Sequence, residues 1–400
     1  MKADAKHWTV RERMNAIFRG EAPDHMPFID RLELWYMTHV RAGTMPEAFR
    51  DMSLTDIHRK IGIGQQKFVA AYAHLLRGVE LTVQFEGETL RREIDPVVEF
   101  FPRMDGLAVQ DRVGITVIEL RTPLGTLTMR YRMVDAMVRM GTEAYMVEHL
   151  VKDDDDCRLV EYIIEHAEFV SLYENIQRAE TALGEIGFVV PAAGRIPFQQ
   201  ILLEYMGDLK TFYTLHDRPV QFERFLDVID RRVVEDVRQL STIPVLYVEF
   251  GDNLHGLMTN PKLFAKYCLP AYQRYAAILH AQGKRMGSHI DGDPQPLLQL
   301  IAESGLDVCE SFSPAPLTPC PFEAAWEAWH AGPIIWGGIP SPILEETTTE
   351  DDFRAFVARI LALAGDRPII LGIGDQVLGS SLIERVQYIA DRVNALAPCR

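Results

Sequence analysis

The chain has 400 residues, 48% of them apolar, and a formal net charge of -16, enough apolar material for one large core and no sign of disorder. The acidic balance, with no Lys/Arg-rich run, excludes nucleic acid as a partner. No stretch approaches the roughly eighteen apolar residues that span a bilayer, and the opening residues alternate charged with apolar positions unlike a secretory leader, so a cytoplasmic protein is expected.

In chain order, Met26–Asp30 is the first strand candidate. Asp30, Arg31, Glu33, Trp35 and Tyr36 follow it, with His39 and Arg41 further on. Arg31 is expected to face a pocket and clamp an anion, with Trp35 and Tyr36 as aromatic walls. Val79–Glu86 is the second candidate strand. The segment from about 87 to 150 reads differently: Thr116–Arg121 and Thr126–Arg132 flank a Pro-Leu-Gly turn, which predicts an inserted β-hairpin. Asp153–Asp156 precede a helix over Cys157–Ala167, where carboxylates meet the positive end of the helix dipole.

Six apolar runs then read as strands: Gly187–Ala193, Pro244–Phe250, Lys284–Ser288, Leu306–Cys309, Ile334–Gly338 and Pro368–Gly372. Helix-like stretches separate them, at Pro261–Gln282, Pro294–Ser304 and Thr349–Ala364, the last opened by a Thr-x-x-Asp cap. Eight strands alternating with helices predict a single α/β domain, a (β/α)8 TIM barrel over residues 1–400 with an N-terminal extension and the hairpin insertion.

In such a barrel the chemistry sits where strands end at their carboxyl side. Glu249, Asp252, Asn253 and His255 lie at and beyond the end of one strand, His289-Ile290-Asp291 after the next, then Glu310, then Gly374-Asp375. His289 and Asp291, two apart in an extended segment, present a nitrogen and an oxygen on one face. With Glu310 and Asp375 they make a nitrogen and three oxygen donors, a set that zinc, manganese or non-haem iron accepts. The same residues also suit metal-free acid/base chemistry or a structural hydrogen-bond network. Gly372-Ile373-Gly374 follows the last strand and is no dinucleotide fingerprint. Of the five cysteines, Cys309 and Cys320 are the pair considered for zinc, but their spacing fits no common zinc pattern, and buried reduced thiols are expected.

Several landmarks taken together resemble the uroporphyrinogen decarboxylase superfamily over nearly the whole chain. They are Arg11-x-Arg13 with Gly20-Glu21-x-Pro23-Asp24-x-x-Pro27, Arg195-x-Pro197, Tyr267–Pro270, His289-x-Asp291-Gly292, Gly337-Gly338-Ile339 and Leu371-Gly372-Ile373-Gly374-Asp375. The resemblance implies one of two chemistries: cofactor-free decarboxylation, or zinc-dependent methyl transfer involving a corrinoid protein. The arginine-rich segment with which the decarboxylases bind substrate carboxylates corresponds here to Asp30–His39, with one early arginine and two acids. Where the thiol-methylating members carry His-x-Cys and a late Cys, this chain has His289, Asp291 and Asp375. The resemblance therefore implies a methyltransferase with Zn2+ held by His289, Asp291, Glu310 and Asp375. It would demethylate a small methoxylated compound and pass the methyl group to a corrinoid (methylcobalamin) on a partner protein. Glu249 or Asp252 would supply a proton and Arg31 would assist, while Trp35, Tyr36, Arg195 and Asn253 would hold substrate. A homodimer is implied by the same resemblance. The competing readings are a decarboxylase gripping its substrate through Arg31 or Arg195, and a binding protein for corrinoids or tetrapyrroles.

Overall fold

The computed structural model describes residues 8–364, 367–374 and 376–396. Eight parallel strands form one sheet: β1 (Ile29–Asp30), β2 (Gly64–Ala70), β3 (Gly187–Ala193), β4 (Tyr247–Phe250), β5 (Arg285–His289), β6 (Val308–Phe312), β7 (Ile334–Pro340) and β8 (Ile370–Gly374). They neighbour one another in chain order, and a parallel bridge between Phe28 and Leu371 brings β8 back to the β1 edge. The sheet is a (β/α)8 barrel with helices outside it.

Strand alternation sorts the residues into two cores. Residues facing outward, such as Val248, Cys309 and Leu371, join the large cluster under the helices. Inward residues Ile29, Phe188, Val190, Tyr247, Val308, Trp336 and Ile370 form a second cluster inside the barrel. Helix α1 (Val10–Arg19) inserts Met14, Ile17 and Phe18 into that interior layer. Phe18 stacks on Tyr247 at 4.6 Å and 11°, a geometry worth about 0.5–1.5 kcal/mol beyond area burial. α1 itself is set by its ends: Thr9 and Glu12 form a capping box, and Gly20 closes it in the left-handed conformation.

Val79–Glu86 is not a barrel strand. Its core, Glu80–Phe85, lies in a five-stranded antiparallel sheet with Glu88–Ile94, Gly114–Thr122, Gly125–Met133 and Tyr145–Glu148. The second barrel strand is instead Gly64–Ala70, whose Gln65, Gln66 and Lys67 break the apolar run that marks the other strands. Of these, Gln66 faces the site described below, while Gln65 accepts from Thr55 on the other face and Lys67 is exposed. The antiparallel region begins at Tyr72–Leu76, directly after β2, and contains the expected hairpin, with Thr122 opposite Gly125. Asp153 caps the helix Asp154–His166 through the Asp155 and Asp156 N–H groups, as the acidic run predicts. Thr349 likewise caps Glu350–Ala364 by accepting from Asp352 N–H.

Among the described residues no helix is long and apolar enough to cross a membrane. Cys309 and Cys320 are buried, and burial raises both thiols, Cys320 to about 12.

Candidate metal centre

Parallel register places the key groups side by side. Glu249 on β4 lies opposite Gly287 on β5, and His289, two residues further along β5, lies opposite Glu310 on β6. All three functional side chains therefore point into the barrel at its carboxyl end. One donor atom each from Glu249, His289 and Glu310 lies within 4.8 Å of the others, the one such group of His, Cys, Asp and Glu among the described residues.

The two carboxylates are held from outside the cluster, and His289 is held by Glu310 within it. His289 Nδ1 is hydrogen-bonded to Glu310 Oε2. Gln66 on β2 donates to Glu310 Oε1 at 2.8 Å, and Tyr247 donates to Glu249 Oε2 at 2.7 Å. Glu249 Oε1 is buried and has no hydrogen-bond partner. Leaving a buried carboxylate oxygen unsatisfied is costly, so this atom calls for a proton shared with Glu310 or for a bound cation.

The charges agree. Burial, and then the facing Glu310 carboxylate, push Glu249 well above the ordinary carboxylate range. Burial also penalises ionised Glu310, but His289, Arg31 and Gln66 outweigh it and hold that carboxyl below its usual value. Two facing buried carboxylates require a shared proton or a cation between them.

Around this centre, Phe68 on β2 meets the His289 ring edge-on at 6.4 Å, and the Arg31 guanidinium lies over Phe68 at 5.0 Å. Arg31 thus reaches the mouth from the end of β1. Asp291 lies just past β5, with Oδ2 3.8 Å from His289 Nε2 and accepting from Asn253 Nδ2 at 2.8 Å. Asn253 in turn accepts from Arg195 Nη1 at 2.6 Å, while Arg195 Nε donates to Glu204 at 2.9 Å. Arg195 and Asn253, expected to hold substrate, are occupied with protein partners that brace Asp291.

Other expected site residues have different surroundings. Both Asp252 oxygens are engaged, accepting from Ile196 N–H at 2.8 Å, Tyr272 at 2.6 Å and Ser288 at 3.0 Å. It ties the loop after β4 to its neighbours, and burial raises its carboxyl. Trp35 is in the hydrophobic core, edge-on to Phe49 at 5.9 Å, instead of walling a pocket. Tyr36 lines a surface depression with Met45 and Phe49. Asp375 lies outside the described residues. Of the expected metal ligands, His289 and Glu310 come together, and the third member is Glu249, expected as a proton donor.

Gln66, Phe68 and Tyr247 escaped the sequence reading. The first two sit on Gly64–Ala70, the strand that the sequence does not mark; the third is an ordinary apolar-run residue whose one signal is its position two before Glu249.

A family profile described as uroporphyrinogen decarboxylase (URO-D) matches residues 137–396. No curated protein sequence matches the chain. Among solved structures, the methyltransferase from Methanosarcina mazei superposes with a TM-score of 0.53 at 14% identity, covering 97% of this chain and 100% of that one. At that identity the likeness is one of fold. A pneumococcal StrH structure reaches a TM-score of only 0.37, at 9% identity over 92% of this chain and 83% of that one.

Proposed function

The chain belongs to the uroporphyrinogen decarboxylase family, and from that premise we propose that it is a metal-dependent methyltransferase, removing a methyl group from a small methoxylated compound and passing it to a corrinoid carried by a partner protein. The observation carrying this reading is the buried, partnerless Glu249 Oε1 at the point it shares with His289 and Glu310. One imidazole and two carboxylates suit zinc with an open position for substrate. A divalent cation there supplies Lewis acidity, and with no thiolate donating charge that acidity is directed at a substrate oxygen.

The chain's own residues prepare the site. Gln66 and Tyr247 hold the outer carboxylate oxygens, so the inner ones stay turned to the shared point. Phe68 offers an aromatic face beside His289, and Arg31 above it favours an anionic group on the substrate. Asn253 and Arg195 keep Asp291 beside His289. Demethylation would break one substrate O–CH3 bond, the methyl group passing as a cation equivalent to the electron pair of a reduced corrinoid on the partner while the departing oxygen takes a proton from water.

Protein purified anaerobically should carry about one zinc per chain and methylate cob(I)alamin from members of a panel of aryl methyl ethers. Absence of both metal and cobalamin methylation across the panel rejects the reading. Carbon dioxide release without corrinoid would instead favour a decarboxylase in which Arg31 grips a carboxylate, a second reading supported by the placement of Arg31 over Phe68.

A further inference from the structure

Tyr247 is two residues before Glu249 on β4, so both side chains enter the barrel, one layer apart. The ring is buried between Phe18 of α1, stacked at 4.6 Å, and Trp336 of β7 at 6.3 Å. Its hydroxyl rises to donate to Glu249 Oε2 at 2.7 Å. It can do so because β5 has glycine opposite Glu249: a Cβ at Gly287 would lie 1.9 Å from the Tyr247 hydroxyl. β5 thus lacks a side chain directly before His289, and β4 fills that space with a phenol. With Oε2 claimed, Glu249 is left presenting Oε1, the buried oxygen without a protein partner.

We propose that Tyr247 is a positioning residue for the metal centre, its hydroxyl fixing Glu249 as a one-oxygen ligand and its own height set by Phe18 and Gly287. The inference rests on the metal-centre reading. Groups that orient ligands from behind are typically worth about 10–100-fold in metal affinity. Tyr247→Phe keeps the ring stack and deletes the hydrogen bond alone.

The test is a zinc titration of metal-free wild type, Tyr247→Phe, Gly287→Ala and Phe188→Leu against a chromophoric chelator, with the absorption spectrum of bound cobalt(II) recorded for each. Tyr247→Phe is expected to bind one zinc per chain about 10–100-fold more weakly, with an altered cobalt spectrum. Gly287→Ala, which displaces the hydroxyl from the β5 side, should weaken zinc in the same direction and serves if the first variant fails to fold. Phe188→Leu, in the same core layer and 5.7 Å from Phe18, should lower the melting temperature and leave affinity and spectrum unchanged. Wild-type affinity and spectrum in Tyr247→Phe, or equal weakening in Phe188→Leu, overturns the positioning role and leaves the metal centre standing. A wild type that binds neither zinc nor cobalt overturns both.

Discussion

Glu249→Gln separates the two consequences of setting buried carboxylates face to face. In metal-free protein, Glu249 is raised well above its ordinary value of 4.5 by burial and then by Glu310. The unfolded chain releases this proton near 4.5 and the folded chain keeps it, so the contribution of Glu249 to stability is complete at low pH and falls as pH rises. The slope is about 1.4 kcal/mol per pH unit while the folded group stays protonated. Two units above the unfolded value, the cost is about 3 kcal/mol. Glutamine has the same shape, accepts from Tyr247, offers an amide N–H to Glu310, and does not titrate. Metal-free Glu249→Gln should therefore be more stable than metal-free wild type at about pH 6.5, by at most about 3 kcal/mol, the limit reached if the folded carboxyl still holds its proton there, or at most ~4 °C for a chain of this length. The advantage should vanish near pH 4.5. Zinc at about 1,000 times Kd should reverse the order, since wild type then gains about 4 kcal/mol and the variant has lost a ligand. Melts across pH in chelator and in zinc measure both. A variant less stable than wild type in chelator at pH 6.5, or one still ahead of it in zinc, refutes the reasoning.

Two further predictions concern residues outside the cluster. Burial holds His58 down to about 3, with Nδ1 bonded to the Gly64 carbonyl at 3.2 Å. The unfolded histidine takes up a proton below about 6.5 and the folded one does not, so stability is complete above that pH and declines by about 1.4 kcal/mol per unit below it. His58→Asn should flatten the urea-derived stability profile between about pH 6 and 4 by one proton's worth; parallel profiles would exclude His58 as the source. Arg195→Ala strands buried Glu204, whose carboxyl burial already raises against the pull of Arg195 and Arg103, and should cost about 3–5 kcal/mol. Adding Glu204→Gln should recover more than half of that in denaturant titrations, whereas strictly additive losses would show the two residues to be uncoupled.

Much was legible before folding. The apolar runs that became β3 to β8 are continuous because a parallel strand is covered on both faces, by helices outside and by the interior layer within. The acids and histidine standing at their carboxyl ends could be placed at one rim for the same reason. β2 was not legible, since Gln65, Gln66 and Lys67 erase the apolar run, and Val79–Glu86 took its place on pattern alone. A strand in an antiparallel sheet and one in a barrel can carry the same local sequence; what differs is the partner.

Alternation along single strands determined by itself that Tyr247 and Glu249, or Gly287 and His289, share a face, because side-chain direction repeats every two residues. Only the assembled barrel decided which acid meets His289. The pairing of His289 with Glu310 and of Gln66 with Glu310 depends on strand order and stagger, which place residues tens to hundreds of positions apart at one height. Asp291, next but one in the chain, accepts from Asn253 and stands 3.8 Å from His289 Nε2, beside the cluster and not within it, because past the end of β5 the ladder no longer holds its side chain to the inward direction.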